Sequence, residues 1–282
     1  MVGEDTRIAV LGGRGMLGSD VVQVCRQQGL DPIVYDLPEF DITNVDHVKQ
    51  AVADADVIVN CAAYTNVDGA ESQAEIAYRV NAEAVGRLGA VARQAGKWVL
   101  HISTDFVFDG HGDKPYVETD HPNPINTYGK TKLVGEQLLV QSGCEYCIIR
   151  VEWTYGKAGN NFVTKLIQRA KSQDILKVVD DQTGSPTATI EAAKAICELV
   201  RKKPNGIYHF ASAGYVSRYG VAQFVLGKLS MDVKLLPCKS SDFPSPATRP
   251  LNSRFDCSKI VSLLDEPIEN WQGPLELFLR QL

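Results

Sequence analysis

The chain has 282 residues, enough for one large α/β domain with an appended lobe or for about two domains. Its 44% hydrophobic and 22% charged content is that of a globular protein with a sizeable core and excludes a disordered or fibrous chain. Lysine and arginine number 29 against 34 aspartate and glutamate, and a formal charge of −5 lacks the basic footprint of a nucleic-acid binder.

In chain order, short β-branched runs alternate with helix-length amphipathic stretches, the pattern of βαβ units around a parallel sheet. The expected strands are Arg7–Leu11, Pro32–Tyr35, Val57–Asn60, Trp98–Ser103 and Cys147–Val151. Helices are expected at Met16–Gln28, Val45–Ala53, Glu75–Gln94 and Tyr128–Val140, with Thr43 or Asn44 capping the second. Beyond Val151 the alternation loosens, with helices at Asn161–Ser172, Ile190–Lys202 and Arg218–Leu229 and strands at Leu176–Val179 and Ile207–Phe210. Proline clusters in Asp120–Pro124 and Phe243–Pro250 mark rigid loops. The expected class is α/β, with a Rossmann-type doubly wound parallel sheet over residues 1–151. Residues 152–282 are expected to form mainly a smaller C-terminal substrate-binding lobe, some segments returning to the first domain.

No apolar run reaches the ~18 residues that cross a bilayer, and Met1–Thr6 carries neither a basic start nor an apolar stretch. A cytoplasmic protein with no membrane partner is therefore expected. Seven cysteines, an odd number, suit reduced thiols packed as small hydrophobes. The one C-x-x-C, Cys144 to Cys147, has no second pair at zinc-site spacing, so no metal site is expected.

Directly after the first strand comes Gly12-Gly13-Arg14-Gly15-Met16-Leu17-Gly18, a G-x-x-G-x-x-G run that opens a helix. Glycines there let the backbone turn sharply, approach a pyrophosphate and pack helix on strand, while the helix start at Met16 and Leu17 offers N–H groups to the phosphates. Asp36, about 20 residues on, stands where a carboxylate accepts the hydroxyls of an adenosine ribose and favours NADH. Arg14 pulls toward NADPH, because a guanidinium there pairs with a 2′-phosphate. Asp41 and Ile42 are placed to flank the adenine.

Tyr128 and Lys132 lie four apart at the start of a helix and so share one face. An ammonium close to a phenol favours its ionisation and makes the tyrosine a proton donor and acceptor. Ser103 and Thr104 end the fourth strand, at the edge of the sheet where open α/β folds bind ligands, and either hydroxyl could donate to a carbonyl oxygen. The glycine loop, the hydroxyl pair and Y-x-x-x-K in this order form a joint signature that none of them carries alone.

These motifs resemble the extended short-chain dehydrogenase/reductases, and within them the dTDP-4-dehydrorhamnose reductase family. The resemblance also rests on Asp56–Thr65, Ser103–Gly110, Tyr128–Glu136, Arg150–Gly156, Asp181–Thr187 and Pro246–Ser253, and so spans nearly the whole chain. It implies Thr104, Tyr128 and Lys132 as the catalytic set, Ala62, Ala63 and Tyr64 along the cofactor, and Asp105, Phe106, Trp153 and Arg249 toward a nucleotide sugar. Phe106 stands where members usually carry tyrosine, and Val151-Glu152 where small hydroxyl residues are commoner. The implied reaction is reduction, by NADPH or NADH, of the C4 ketone of a dTDP-6-deoxy-4-ketosugar, dTDP-4-dehydro-L-rhamnose giving dTDP-L-rhamnose. Related dehydratases carry Asp-Glu after the strand-end threonine, whereas here Phe106 follows Asp105, which suits reduction. A second expectation of another class is a non-catalytic NADP-binding subunit, like the regulatory subunit of methionine adenosyltransferase. A homodimer is carried as an expectation, while composition is silent on assembly and on a structural Mg²⁺.

Overall fold

The computed structural model describes residues 6–282. Five strands, β1 (Ile8–Leu11), β2 (Ile33–Tyr35), β3 (Val57–Asn60), β4 (Trp98–Thr104) and β5 (Tyr146–Val151), are joined by Gly206–Phe210 in one sheet. Every pairing in it is parallel, and the order runs Gly206–Phe210, β5, β4, β3, β1, β2. Both faces of such a sheet are covered, so β1 and β3 are buried at every position and are apolar almost throughout.

Side chains alternate across each strand. Ile8, Val10, Val57 and Val59 enter one core with α1 (Met16–Gln27) and the helix Thr189–Lys202. Ala9, Leu11 and Ile58 enter the other, with α2 (Val45–Asp54), the helix Ala84–Ala95 and Leu139. Within the first core Cys25 and Cys197 meet sulfur to sulfur at 3.5 Å, and all seven cysteines are free thiols. The order reverses between β1 and β3, which opens a crevice at the carboxyl ends of these strands.

Most expected elements form within a residue or two of their expected limits. One helix needs correction: Glu75–Gln94 is not continuous but runs as Ala74–Tyr78, a π turn at Arg79–Glu83 and Ala84–Ala95. The cause is Asn81, fully buried in the π turn. Its side chain accepts the Tyr64 N–H at 2.8 Å and donates to the Tyr64 carbonyl and the Thr131 hydroxyl, both at 3.1 Å. The facing helix Thr127–Gln141 approaches so closely that Gly135 has no room for a Cβ beside the Asn81 carbonyl.

After Val151 the chain serves two cores. The helix Thr189–Lys202 and the strand Gly206–Phe210 return to the main sheet, as does Ile260. The rest builds a second core from Val163, Leu166, Leu176, Val225, Trp271 and Phe278. Its strand Ile175–Val179 pairs in parallel with Lys234–Cys238, an element not expected from the sequence because it contains Pro237. A two-stranded sheet consists of edges only, which tolerates the missing N–H. Among the described residues no helix is long and apolar enough to cross a membrane.

Candidate active site

A single cleft of about 650 Å³ runs along the carboxyl edge of the sheet, from the glycine loop to the second lobe. At its first end Gly12, with φ of +72°, turns the chain out of β1, and a Cβ there would lie 2.7 Å from the Ala62 nitrogen. Gly18 likewise has no room for a Cβ beside the Gly12 carbonyl. Gly15 caps α1 without a side chain, and no acidic residue stands in the first turn, so the opening N–H groups are offered to an anion. Gly12, Gly15, Met16, Leu17, Gly18, Asp36, Asp41, Ile42, Ala62 and Ala63 all line this end. Their fit to a dinucleotide rests on that bare helix start and on the close glycine contacts.

Asp36 accepts the backbone N–H of Arg14 at 2.7 Å and that of Leu37 at 2.8 Å, which ties the glycine loop to the end of β2. The Arg14 guanidinium donates to Glu39 at 2.8 Å and to the Leu37 carbonyl at 3.0 Å. Asp36 lines the cleft, whereas Arg14, expected from the sequence to face the cofactor, is outside that lining. Asp41 accepts both the N–H and the hydroxyl of Thr43 at 2.8 Å, just ahead of Asn44, which caps α2. Tyr64 is not among the residues lining the cleft, and its hydroxyl donates to Gln73 at 2.9 Å. It contributes through its backbone, held by Asn81.

At the middle of the cleft Ser103, Thr104, Tyr128 and Lys132 come together. Asn126 caps the helix Thr127–Gln141 by accepting the Gly129 N–H at 2.8 Å, and Gly129 packs against the Phe106 carbonyl with no room for a Cβ. That contact brings Tyr128 against the turn that follows β4, where its ring meets Phe106 edge-on at 5.6 Å. Thr104 caps the turn, accepting the Phe106 N–H at 3.2 Å and donating to Asp105 at 3.0 Å. The buried Ser103 hydroxyl has no hydrogen-bond partner among the described residues.

Lys132 is 2% exposed, and its ammonium donates to the Ile102 carbonyl at 2.7 Å and lies 3.3 Å from His101 Nε2. Burial pulls its pKa down to about 8, against the charges of Glu136 and Cys61. The Tyr128 phenol is pushed up by burial and by Asp105, while the Thr104 hydroxyl favours its ionisation. The Lys132 nitrogen is thus turned to β4, and the charge that acts on the Tyr128 phenol is that of Asp105.

The far end of the cleft is built by Asp105, Phe106, Trp153 and Arg218. Asp105 is 3% exposed and accepts the Ser253 hydroxyl at 2.5 Å, and burial raises its pKa to about 6 against Ser253, Thr104 and Arg218. Glu152 is buried, with one oxygen accepting the Ser185 N–H at 2.8 Å. Burial, and then Asp105, holds its carboxyl well above the usual carboxylate range. Trp153 adopts φ of +45°, a left-handed conformation that turns its indole under the Arg218 guanidinium. Arg249 is outside the lining of the cleft, its guanidinium held by Asp68. Arg218 and Asn81 were missed in the sequence, where a basic residue after the helix cap Ser217 and a mid-helix asparagine give no local signal.

A glycine loop at a sheet reversal and Thr104, Tyr128 and Lys132 converging on the same cleft define a short-chain dehydrogenase/reductase. The family model described as RmlD substrate binding domain matches residues 6–282. The chain belongs to that family, that of the dTDP-4-dehydrorhamnose reductases, and is an oxidoreductase. It is 34% identical to the dTDP-4-dehydrorhamnose reductase of Mycobacterium tuberculosis over 282 residues, 98% of this chain and 93% of that one. Identity to the Escherichia coli enzyme of the same name is 34% over 293 residues, covering 98% and 97%. Among solved structures, the dTDP-4-dehydrorhamnose reductase of Bacillus anthracis in complex with NADP superposes with a TM-score of 0.94 at 33% identity, covering 98% of this chain and 99% of that one. That of Clostridium acetobutylicum gives 0.93 at 36%, with the same coverage.

Proposed function

We propose that the enzyme reduces the C4 ketone of a dTDP-6-deoxy-4-ketosugar, converting dTDP-4-dehydro-L-rhamnose to dTDP-L-rhamnose. The observation that carries this reading is the Tyr128 phenol with Thr104 in one continuous cleft with an uncapped glycine loop. The names of the relatives point the same way. When bound, NADPH or NADH supplies the hydride that reaches the carbonyl carbon.

The chain supplies position and proton. Gly12, Gly15 and the first turn of α1 hold the pyrophosphate, and Asp36 and Arg14 hold the adenosine ribose, the carboxylate suited to free hydroxyls and the guanidinium to a 2′-phosphate. Lys132, in the lining of the same cleft, would hold the second ribose through its ammonium. A protonated phenol is the form a reductase needs as its acid, and Tyr128 donates that proton to the oxygen left by reduction. The Thr104 hydroxyl rotates between Asp105 and that same oxygen and fixes its place.

The test is oxidation of NADPH and of NADH by the purified enzyme with dTDP-4-dehydro-L-rhamnose, with the sugar product identified by chromatography. Formation of dTDP-L-rhamnose is expected with both, and no consumption of either cofactor would overturn the reading. No feature of the site favours a non-catalytic binding subunit. The free thiols suit a cytoplasmic location. A homodimer is the expected assembly, and sedimentation of the purified chain checks it.

A further inference from the structure

We propose that Arg218 receives the diphosphate of the nucleotide sugar, a place that the family resemblance assigns to Arg249. The proposal rests on the reductase reading for where the sugar lies, and goes beyond it in naming the residue that holds the substrate's charge.

Arg218 lines the cleft with Thr104, Asp105, Tyr128 and Trp153. Its guanidinium carbon lies 3.6 Å from the centre of the Trp153 ring and 4.9 Å from that of Phe162. Among the described residues only its backbone N–H is hydrogen-bonded, to the Gln182 carbonyl at 3.2 Å. The guanidinium therefore keeps its five N–H donors without a protein acceptor, while stacking holds its plane. A stacked guanidinium presents its edge, and an edge of parallel N–H donors matches two phosphate oxygens.

The neighbouring acids do not use up this charge. Asp105 directs its oxygens to Ser253 and Thr104, and Glu152 directs one to the Ser185 N–H. Arg249 is arranged in the opposite way, with Asp68, Ser245 and the Ala247 carbonyl all accepting from its two terminal nitrogens. Thr104, Tyr128, Trp153 and Arg218 line the same cleft, so a sugar with C4 at Thr104 and Tyr128 shares that cleft with Arg218 for the diphosphate on C1.

The experiment is titration calorimetry on the NADPH-loaded enzyme with dTDP and with thymidine, which share a base and differ in charge. Arg218→Met keeps an apolar stem over Trp153 and removes the charge. Its dTDP affinity is expected to fall by about ten- to a hundredfold, that for thymidine to stay, and NADPH affinity to stay. Equal losses for dTDP and thymidine would assign Arg218 to packing, and an unchanged dTDP affinity would remove it from the site; either overturns the proposal. Arg218→Lys, which keeps charge without the fork, is expected to fall between the two, and decides the matter through the same dTDP-to-thymidine ratio if the methionine variant does not fold. A selective dTDP loss confined to Arg249→Met would also overturn it. Wild-type turnover separates the two readings. Selective dTDP loss in an enzyme that does not reduce the ketosugar leaves the anion site standing without the reductase, whereas turnover with no Arg218 effect sinks this proposal alone.

Discussion

Arg249 and Asp68 are joined by two nearly equal hydrogen bonds, Nη1 to Oδ1 at 3.0 Å and Nη2 to Oδ2 at 2.8 Å. The pair fastens the proline-rich loop of the second lobe to the segment that follows β3, and Asp68 also accepts the Ala247 N–H at 3.2 Å. The guanidinium holds the Asp68 carboxyl below the usual carboxylate range.

Arg249→Ala is accordingly expected to lower the melting temperature and to raise KM for the nucleotide sugar by less than about tenfold, since a charged contact to substrate would be worth 1.5–3 kcal/mol. Melting and kinetics on one preparation check this. A large KM effect at unchanged Tm would return Arg249 to the substrate.

Tyr128→Phe removes the acid and leaves the ring that packs on Phe106. Turnover is expected to fall by about 10²–10⁴, with cofactor affinity unchanged. Single-turnover kinetics and cofactor fluorescence measure the two separately, and a loss of less than about tenfold would assign the proton to another group.

Lys132, with its pKa pulled down to about 8, loses its charge as pH rises through that value in the free enzyme. Cofactor affinity is therefore expected to be flat below about pH 7 and to weaken above pH 8, while Lys132→Met binds weakly at every pH. A wild-type profile that stays flat up to pH 10 would show that the ammonium does not serve the ribose.

Asp105 has a folded pKa raised from 3.8 to about 6, so the folded chain keeps this proton where the unfolded chain has lost it. Stability from this group is present below pH 4 and is lost as pH rises toward 6. Asp105→Asn is expected to melt above wild type at pH 7 and to match it at pH 4, with turnover reduced at both. Thermal unfolding across that range checks the sign, and a gap that widens toward acid would contradict it.

Glu136 on the catalytic helix and Arg150 on β5 form a buried pair, with hydrogen bonds of 2.9 and 2.6 Å. Arg150→Met alone leaves a buried carboxylate and is expected to cost about 3–5 kcal/mol. Arg150→Met with Glu136→Leu is expected to recover most of that loss. Denaturant unfolding of the single and double variants provides the cycle, and equal losses in both would show that the packing of Arg150 on Phe108, not its charge, is what holds.

The parallel sheet was legible in the sequence because short apolar strands and amphipathic helices alternate, and so was the cofactor end of the site, because a glycine loop is one contiguous segment whose backbone needs are local. The sequence also placed Thr104, Tyr128 and Lys132, since a strand end and an i, i+4 pair are short-range features. Where charge resides depends on contacts between segments distant in the chain. Lys132 points to β4 because Ile102 supplies a carbonyl there, the Glu152 carboxyl is pushed up because segments distant in the chain bury it, and Arg218 meets Trp153 across 65 residues of sequence. The π turn at Asn81 and the strand carrying Pro237 follow the same rule. Each is set by a partner remote in the chain, and desolvation and pairing energies depend on such partners rather than on neighbours in sequence.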